Sequence, residues 1–290
     1  MNEKLKYSVA GHLFCIETPD RARTTGIMPN YTPFRVENSS GDDFLFSLRG
    51  HREVHLPEFP PDDTMEWNGV DYRVYHSPEG MVVSMKQGGK EHRFFAPADW
   101  KEVVCDLSFT DKNEAVFLNS FLRLAFGVTS ILANRTIKIH ASVTELNGKA
   151  LVFLGKSGTG KSTHSRLWRE FVPDCTLLND DEPLIRVFED EPVRVYGAPW
   201  SGSTACFRNA SAEVAAFIHL YQSPENRLTR LRNVEALSSL YASAAMLRSD
   251  AGNKDRVLDV VAAVLQRVPV YRLDCRPDYE AVSLTRSLLP

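Results

Sequence analysis

The segment Gly155-Lys156-Ser157-Gly158-Thr159-Gly160-Lys161-Ser162 constrains this chain more than any other. It stands between Ala150-Leu151-Val152-Phe153-Leu154, a wholly apolar run suited to a buried strand, and Lys161 to Glu170, which reads as a helix. Glycines at these positions let the backbone fold into a nest of N–H donors at a helix start, where the helix dipole also favours an anion. The spacing G-x-x-x-x-G-K-[ST] is that of a phosphate loop, so the chain is expected to bind a nucleoside triphosphate such as ATP. Gly155, Ser157, Gly158, Thr159, Gly160, Lys161, Ser162 and Thr163 would line the cradle. Lys161 would reach the β- and γ-phosphates, and the Ser162 hydroxyl would sit on Mg²⁺. The plain alternative is a glycine-rich turn without a ligand.

The rest of the chain narrows the class. With 290 residues, 43% hydrophobic and 24% charged, it is an ordinary globular sequence with room for two modest domains. A net charge of −3 gives no basic footprint of the kind that nucleic acid or an anionic membrane would demand. Cys15, Cys105, Cys175, Cys206 and Cys275 are odd in number and scattered, with no C-x-x-C pair, which suggests neither a disulfide framework nor a zinc site and fits a reducing cytoplasm. His12 and Glu17 interrupt the N-terminal stretch, so no export signal is expected. Ala115 to Ala133 is apolar but carries Asn119, Arg123, Gly127 and Ser130 at helical spacing, the pattern of a buried helix with one polar stripe rather than a membrane span. An assembly of like chains is compatible with this composition.

Short β-rich runs (Phe44 to Leu48, Tyr72 to Tyr75, Phe94-Phe95) alternate with turn clusters (Asn38-Ser39-Ser40-Gly41, Gln87-Gly88-Gly89) up to about residue 107. His55 to Pro61 is Pro-rich and expected to be an extended connection. A helix starts near Asn113, Ile137 to Glu145 is an extended run, and Asn147-Gly148 is a hairpin signal leading into the strand before the loop. Further strands are expected at Thr176 to Leu178, Leu184 to Phe188, Val193 to Tyr196, Ala215 to Leu220, Arg227 to Leu231 and Val270 to Leu273. Helices are expected at Val234 to Leu247, Asp255 to Val268 and Tyr279 to Leu288. The division expected is therefore a β-rich region at 1–112, a connecting helix at 113–136 and an α/β nucleotide domain at 137–290.

Asn179-Asp180-Asp181-Glu182 follows the Leu177-Leu178 strand shortly after the loop. Mg²⁺ needs an oxygen ligand besides Ser162, and a second carboxylate could take the proton of an attacking hydroxyl. One acid cannot easily do both, and adjacent residues of an extended chain point opposite ways. The alternative is a solvated acidic turn. Phosphoryl transfer also wants a further cation, for which Arg208, after the Gly/Pro/Ser loop Gly197 to Thr204, is the candidate; otherwise it is a surface arginine. Trp200 would stack on substrate or anchor that loop, and His164, inside the helix, points away from the phosphates.

The phosphate loop opening a short helix, with a paired Asp downstream, resembles the HPr kinase/phosphorylase and phosphoenolpyruvate carboxykinase superfamily. Ser157 to Thr163 and Asn179 to Glu182 look like the carboxykinase loop and metal motif. Ile139-His140, one hairpin before the loop, looks like the HPr kinase layout. Tyr196-Gly197-Ala198-Pro199-Trp200-Ser201-Gly202, Arg208-Asn209, Pro224-Glu225-Asn226 and Cys275-Arg276-Pro277-Asp278 are similar to HPr-kinase-related proteins of peptide-tailoring and uncharacterised bacterial loci. The resemblance spans about residues 137 to 288. It implies a P-loop carboxykinase/HPr-kinase-like α/β domain that uses ATP and Mg²⁺ to phosphorylate a hydroxyl, commonly a serine.

The resemblance also helps to order the acids, with Asp180 as general base and Asp181, with Ser162, on the metal, and it gives His140 a role at the γ-phosphate. The chain is short for a complete carboxykinase and shows no convincing copy of the C-terminal HPr kinase segment, so neither carboxykinase nor reverse phosphorylase activity is the expectation. The expected acceptor is a peptide, a small protein or a small-molecule alcohol. The rivals are a nucleotide-sensing module that transfers nothing, for which the acids would be superfluous, and a carboxykinase-like enzyme on a small organic acid.

Overall fold

In the computed structural model, which describes residues 3–37, 43–67, 69–202, 204–246 and 250–289, the chain divides into two units. One is Met1–Ser130 with Leu247–Ala251, the other Ile131–Met246 with Gly252–Pro290. The expected turn at Asn38 to Gly41 and the end of the expected helix at Leu247 lie outside the described residues.

The first unit carries β1 (Glu3–Val9), β2 (His12–Thr18), α1 (Arg21–Ile27), β3 (Arg35–Val36), β4 (Ser47–Arg49), β5 (Asp63–Trp67), β6 (Val70–Ser77), β7 (Gly80–Gln87), β8 (Lys90–Pro97), β9 (Glu102–Cys105) and most of α2 (Ala115–Asn134). Its sheet runs β3-β1-β2-β4-β9-β8-β7-β6-β5. All pairs are antiparallel except β2 with β4 and β4 with β9. Alternation in β6, with Val70, Tyr72 and Val74 buried between exposed Asp71 and Arg73, gives it one apolar face. α2 covers apolar side chains of this unit; Phe94 stacks on Phe121 with ring centres 3.8 Å apart. The helix Lys112–Leu132 is long and apolar enough to cross a bilayer, and 67% of its apolar 18-residue stretch is buried inside the protein. Ser130 is fully buried, so the expected polar stripe stops at Gly127.

The second unit contains β10 (Thr136–Lys138), β11 (Ala141–Leu146), β12 (Lys149–Leu154), α3 (Lys161–Phe171), β13 (Thr176–Asp181), β14 (Leu184–Arg186), β15 (Arg194–Tyr196), β16 (Ser211–Gln222), β17 (Arg227–Leu231), α4 (Asn233–Ser243), α5 (Ala251–Leu265), β18 (Val270–Cys275) and α6 (Tyr279–Arg286). The sheet order is β10-β14-β15-β16-β12-β11-β13, with β18 paired to both β16 and β17. Helices lie on both faces, because alternate residues of β12 are apolar to each side. Leu151 and Phe153 pack with Leu167, Trp168 and Val282, while Val152 and Leu154 pack with Leu240, Val260 and Val264. This is a mixed α/β layer structure, with antiparallel pairs joined to the parallel pairs β12–β16 and β16–β18.

The Asn147-Gly148 turn has positive φ at both positions (+52° and +78°), the geometry that a two-residue hairpin needs, and it joins β11 to β12. The extended run expected over Ile137 to Glu145 is broken at Ile139-His140. There the chain leaves β10 and pairs with the end of α4, His140 N–H donating to Ser243 O at 2.8 Å. α4 stops at Ser243 for the same reason, since Ala245 N–H donates to Lys138 O.

Candidate functional site

The ladder brings the two informative motifs together. Ala141 of β11 pairs with Leu154 on one side and Asp181 on the other, so the end of β12 that launches the 155–162 loop and the acidic end of β13 share one row. β13 is longer than the sequence suggests: Asp180 and Asp181 are its last residues, not a turn beyond it. A bulge opposite Val143/Thr144 lets the strand carry Leu178 into the core and still present Asp180 beside Ser142, which faces α3 through a 2.7 Å contact with Ser165.

The loop folds as its glycines require. Gly155 has φ +145°, and a Cβ there would lie 2.5 Å from Thr159 Oγ1. Gly160 (φ +103°) is the N-cap of α3 and offers no side-chain acceptor to the first N–H groups of the helix. Lys156, Ser157 and Gly158 are exposed, with Thr159, Gly160 and Thr163 partly so. Lys161 lies beneath them: its ammonium donates to Gly155 O (2.8 Å), Lys156 O (3.3 Å) and His140 Nε2 (2.9 Å). Burial lowers its pKa, and the opposing field of Asp181 and Asp180 restores part of the shift.

Ser162 Oγ donates to Asp180 Oδ1 at 3.0 Å, and Asp180 Oδ2 is buried without a hydrogen-bond partner. Asp181 turns the other way, with its Oδ1 3.1 Å from His140 Nδ1, set off the in-plane line of that nitrogen. An ammonium can only donate, so Nε2 is the accepting nitrogen of the Lys161–His140 contact. The sequence expectation grouped Ser162 with Asp181; the geometry groups it with Asp180 and gives Asp181 to His140. Asp181 is held at φ +133°, a conformation unfavourable for a residue with a Cβ.

The sequence sets Asn179 beside the acids without assigning it a role, yet it holds that turn. Asn179, fully buried, donates through Nδ2 to Ala198 O (3.3 Å) and Trp200 O (3.1 Å) and accepts from Glu182 N–H at 3.1 Å. Gly202 N–H and Ser201 Oγ both donate to Asp180 O. The 198–202 segment is thereby clamped along the outer edge of β13. Glu182 makes a buried ion pair with Lys138 (2.9 Å), whose ammonium also lies 5.5 Å from the Trp200 ring centre. Of three consecutive carboxylates, two are left to face the loop. The signal was present: a lysine inside the apolar run Ile137 to Ile139 needs a buried anion.

Arg208 is not brought to this site. Its guanidinium donates to Leu177 O (2.7 Å) and Thr176 Oγ1 (3.0 Å), at the opposite end of β13 from the acids. Trp200 is 2% exposed and anchors its loop. His164 is buried against Phe153, and its Nε2 lies 3.3 Å from Thr285 Oγ1. Cys206 is also buried, and its thiol pKa is raised by that burial. None of the five cysteines forms a disulfide.

Among the described residues no group of three or more His, Cys, Asp or Glu side chains is arranged around a metal position. A divalent ion here would take most of its ligands from phosphate and water, the habit of Mg²⁺. The unpartnered Asp180 oxygen beside the Ser162 hydroxyl fits such an ion.

No protein-family model matches the chain, and no curated protein matches it. Among solved structures it is similar to the HPr(Ser) kinase/phosphatase from Coxiella burnetii, at 11% identity and a TM-score of 0.31, over 52% of this chain and 87% of that one.

Proposed function

We propose that this chain is an ATP- and Mg²⁺-dependent phosphotransferase that moves the γ-phosphoryl group to a hydroxyl, on a peptide, a small protein or a small alcohol. The observation that carries the reading is the shared row of β12 and β13: it sets an anion-gripping loop beside two carboxylates in different environments, one on Ser162 and one on His140. Two acids with separate partners can take separate tasks.

In this reading the 155–163 backbone and Lys161 hold the triphosphate, Lys161 exchanging its contact with Gly155 O for phosphate oxygens. Ser162 and Asp180 would hold Mg²⁺, which when bound would neutralise developing charge on the phosphate oxygens. Asp181 accepts the proton of the acceptor hydroxyl as its oxygen bonds to phosphorus and the bond to the ADP oxygen breaks. The His140 ring, held by Lys161 through Nε2, stands beside the Asp181 carboxylate. The cation expected from Arg208 has no part; Lys161 and the metal carry the charge.

The test is equilibrium binding of MgATP, followed by incubation with γ-labelled ATP and serine-containing protein or peptide pools. Acid-stable, alkali-labile label that disappears in Lys161→Ala supports the reading. Tight MgATP binding with neither transfer nor hydrolysis would leave a nucleotide sensor, and absence of binding would sink both.

A further inference from the structure

On the side of the loop away from the acids lies a group of side chains that the phosphoryl-transfer reading leaves unused. β16 and β18 run parallel to β12, and their C-terminal ends reach the level of the loop: His219 pairs with Leu154 and with Arg272. Leu220 O lies 3.4 Å from where a Gly155 Cβ would be, and Gln222 Nε2 donates to Gly158 O at 3.2 Å. β16 therefore touches both the root and the tip of the loop. Its outward-facing residues here form a stack. The Tyr221 ring lies 4.9 Å from His219 at 22°, and the Arg272 guanidinium lies 4.2 Å from the Tyr221 ring centre.

The stack is held by neighbouring side chains and stays partly exposed. Ser239 Oγ holds His219 Nδ1 at 2.7 Å, and Asp274 holds the Arg272 guanidinium through Nε and Nη2, at 3.0 and 2.6 Å. Tyr221 is nevertheless 39% exposed, one of few large rings left open to solvent. Burial, reinforced by the Lys161 and Arg272 charges, lowers the His219 pKa.

A nucleoside triphosphate is a linear ligand. If its γ-phosphate points to β13, its nucleoside leaves the loop on the opposite side, over β16 and β18. We infer that Tyr221 and Arg272 form the platform on which the nucleobase of the bound triphosphate stacks. The partly exposed Tyr221 ring and the planar Arg272 guanidinium, 44% exposed, suit a purine ring and are tolerant of its identity. This inference rests on the nucleotide reading above and adds the binding determinant for the nucleoside.

The experiment compares MgATP with inorganic tripolyphosphate plus Mg²⁺, which carries the phosphate chain without a base, as ligands of the full chain. Tyr221→Ala is expected to weaken ATP by about tenfold, within the range measured for single base–aromatic stacks, and to leave tripolyphosphate affinity unchanged. Tyr221→Phe should restore ATP affinity, and Arg272→Ala should also weaken ATP selectively. Equal losses for both ligands, or no loss for either, would overturn the platform. If the unaltered chain binds neither ligand, the nucleotide reading itself fails, and the platform with it.

Discussion

At the scale of single residues, the distinction between Asp180 and Asp181 follows from what each touches. Asp181→Asn should cut turnover by about 10²- to 10⁴-fold, the usual contribution of a general base, with MgATP affinity nearly unchanged. On the proposed reading, Asp180→Asn should instead weaken MgATP while barely changing metal-free ATP, because the oxygen it removes would serve only the ion. Titrations with and without Mg²⁺ and single-turnover rates separate the two; interchanged phenotypes would restore the order expected from sequence. A different residue governs acid stability. Burial holds His164 near a pKa of about 4, against an ordinary value of 6.5. Between these values the unfolded chain binds the proton and the folded chain does not. Stability should therefore fall as pH drops from 6.5 to about 4, by about 3 kcal/mol in all, and level off below. His164→Gln should flatten Tm against pH in that window, and an unchanged slope would assign the acid sensitivity elsewhere.

At the scale of elements, the loop and the clamp on β13 make separable predictions. Gly155→Ala places a methyl 2.5 Å from Thr159 Oγ1 at a φ of +145°, so the loop must open. Nucleotide affinity should collapse while far-UV circular dichroism is retained. Asn179→Ala strips two buried carbonyls of their donor, at a cost of about 1–3 kcal/mol each. It should lower the urea midpoint and slow turnover by releasing the 198–202 segment from the acids. Local pattern announced the loop, α3, the Asn147-Gly148 hairpin and most strands, because each depends on nearby residues. It did not announce that β13 runs through Asp181, since polar residues at a strand's end look like a turn. Nor did it announce that Arg208 serves Leu177 O, which is a tertiary contact from a segment distant in sequence. The break at Ile139-His140 had the same origin: the competing partner is the end of α4, a century of residues away.

At the scale of the whole molecule, each unit has its own apolar interior, and all the proposed site residues belong to the second. Phe121→Ala, which removes a ring stacked on Phe94, should destabilise the first unit by about 3–5 kcal/mol. MgATP affinity measured well below the transition should be unaffected; a parallel loss would make the first unit a determinant of nucleotide binding. The spacing of the chemistry is set far from where it happens. Asn147 and Gly148 fix which residue of β12 faces which residue of β11, and β11 in turn fixes β13. A single glycine inserted in that turn would invite the two arms to close one notch out of phase, exchanging inward and outward sides along β12. Grip and proton acceptor would then sit about 3 Å out of alignment. This small hairpin thus acts as the molecule's ruler, and its length should be far less tolerant of change than that of any exposed loop.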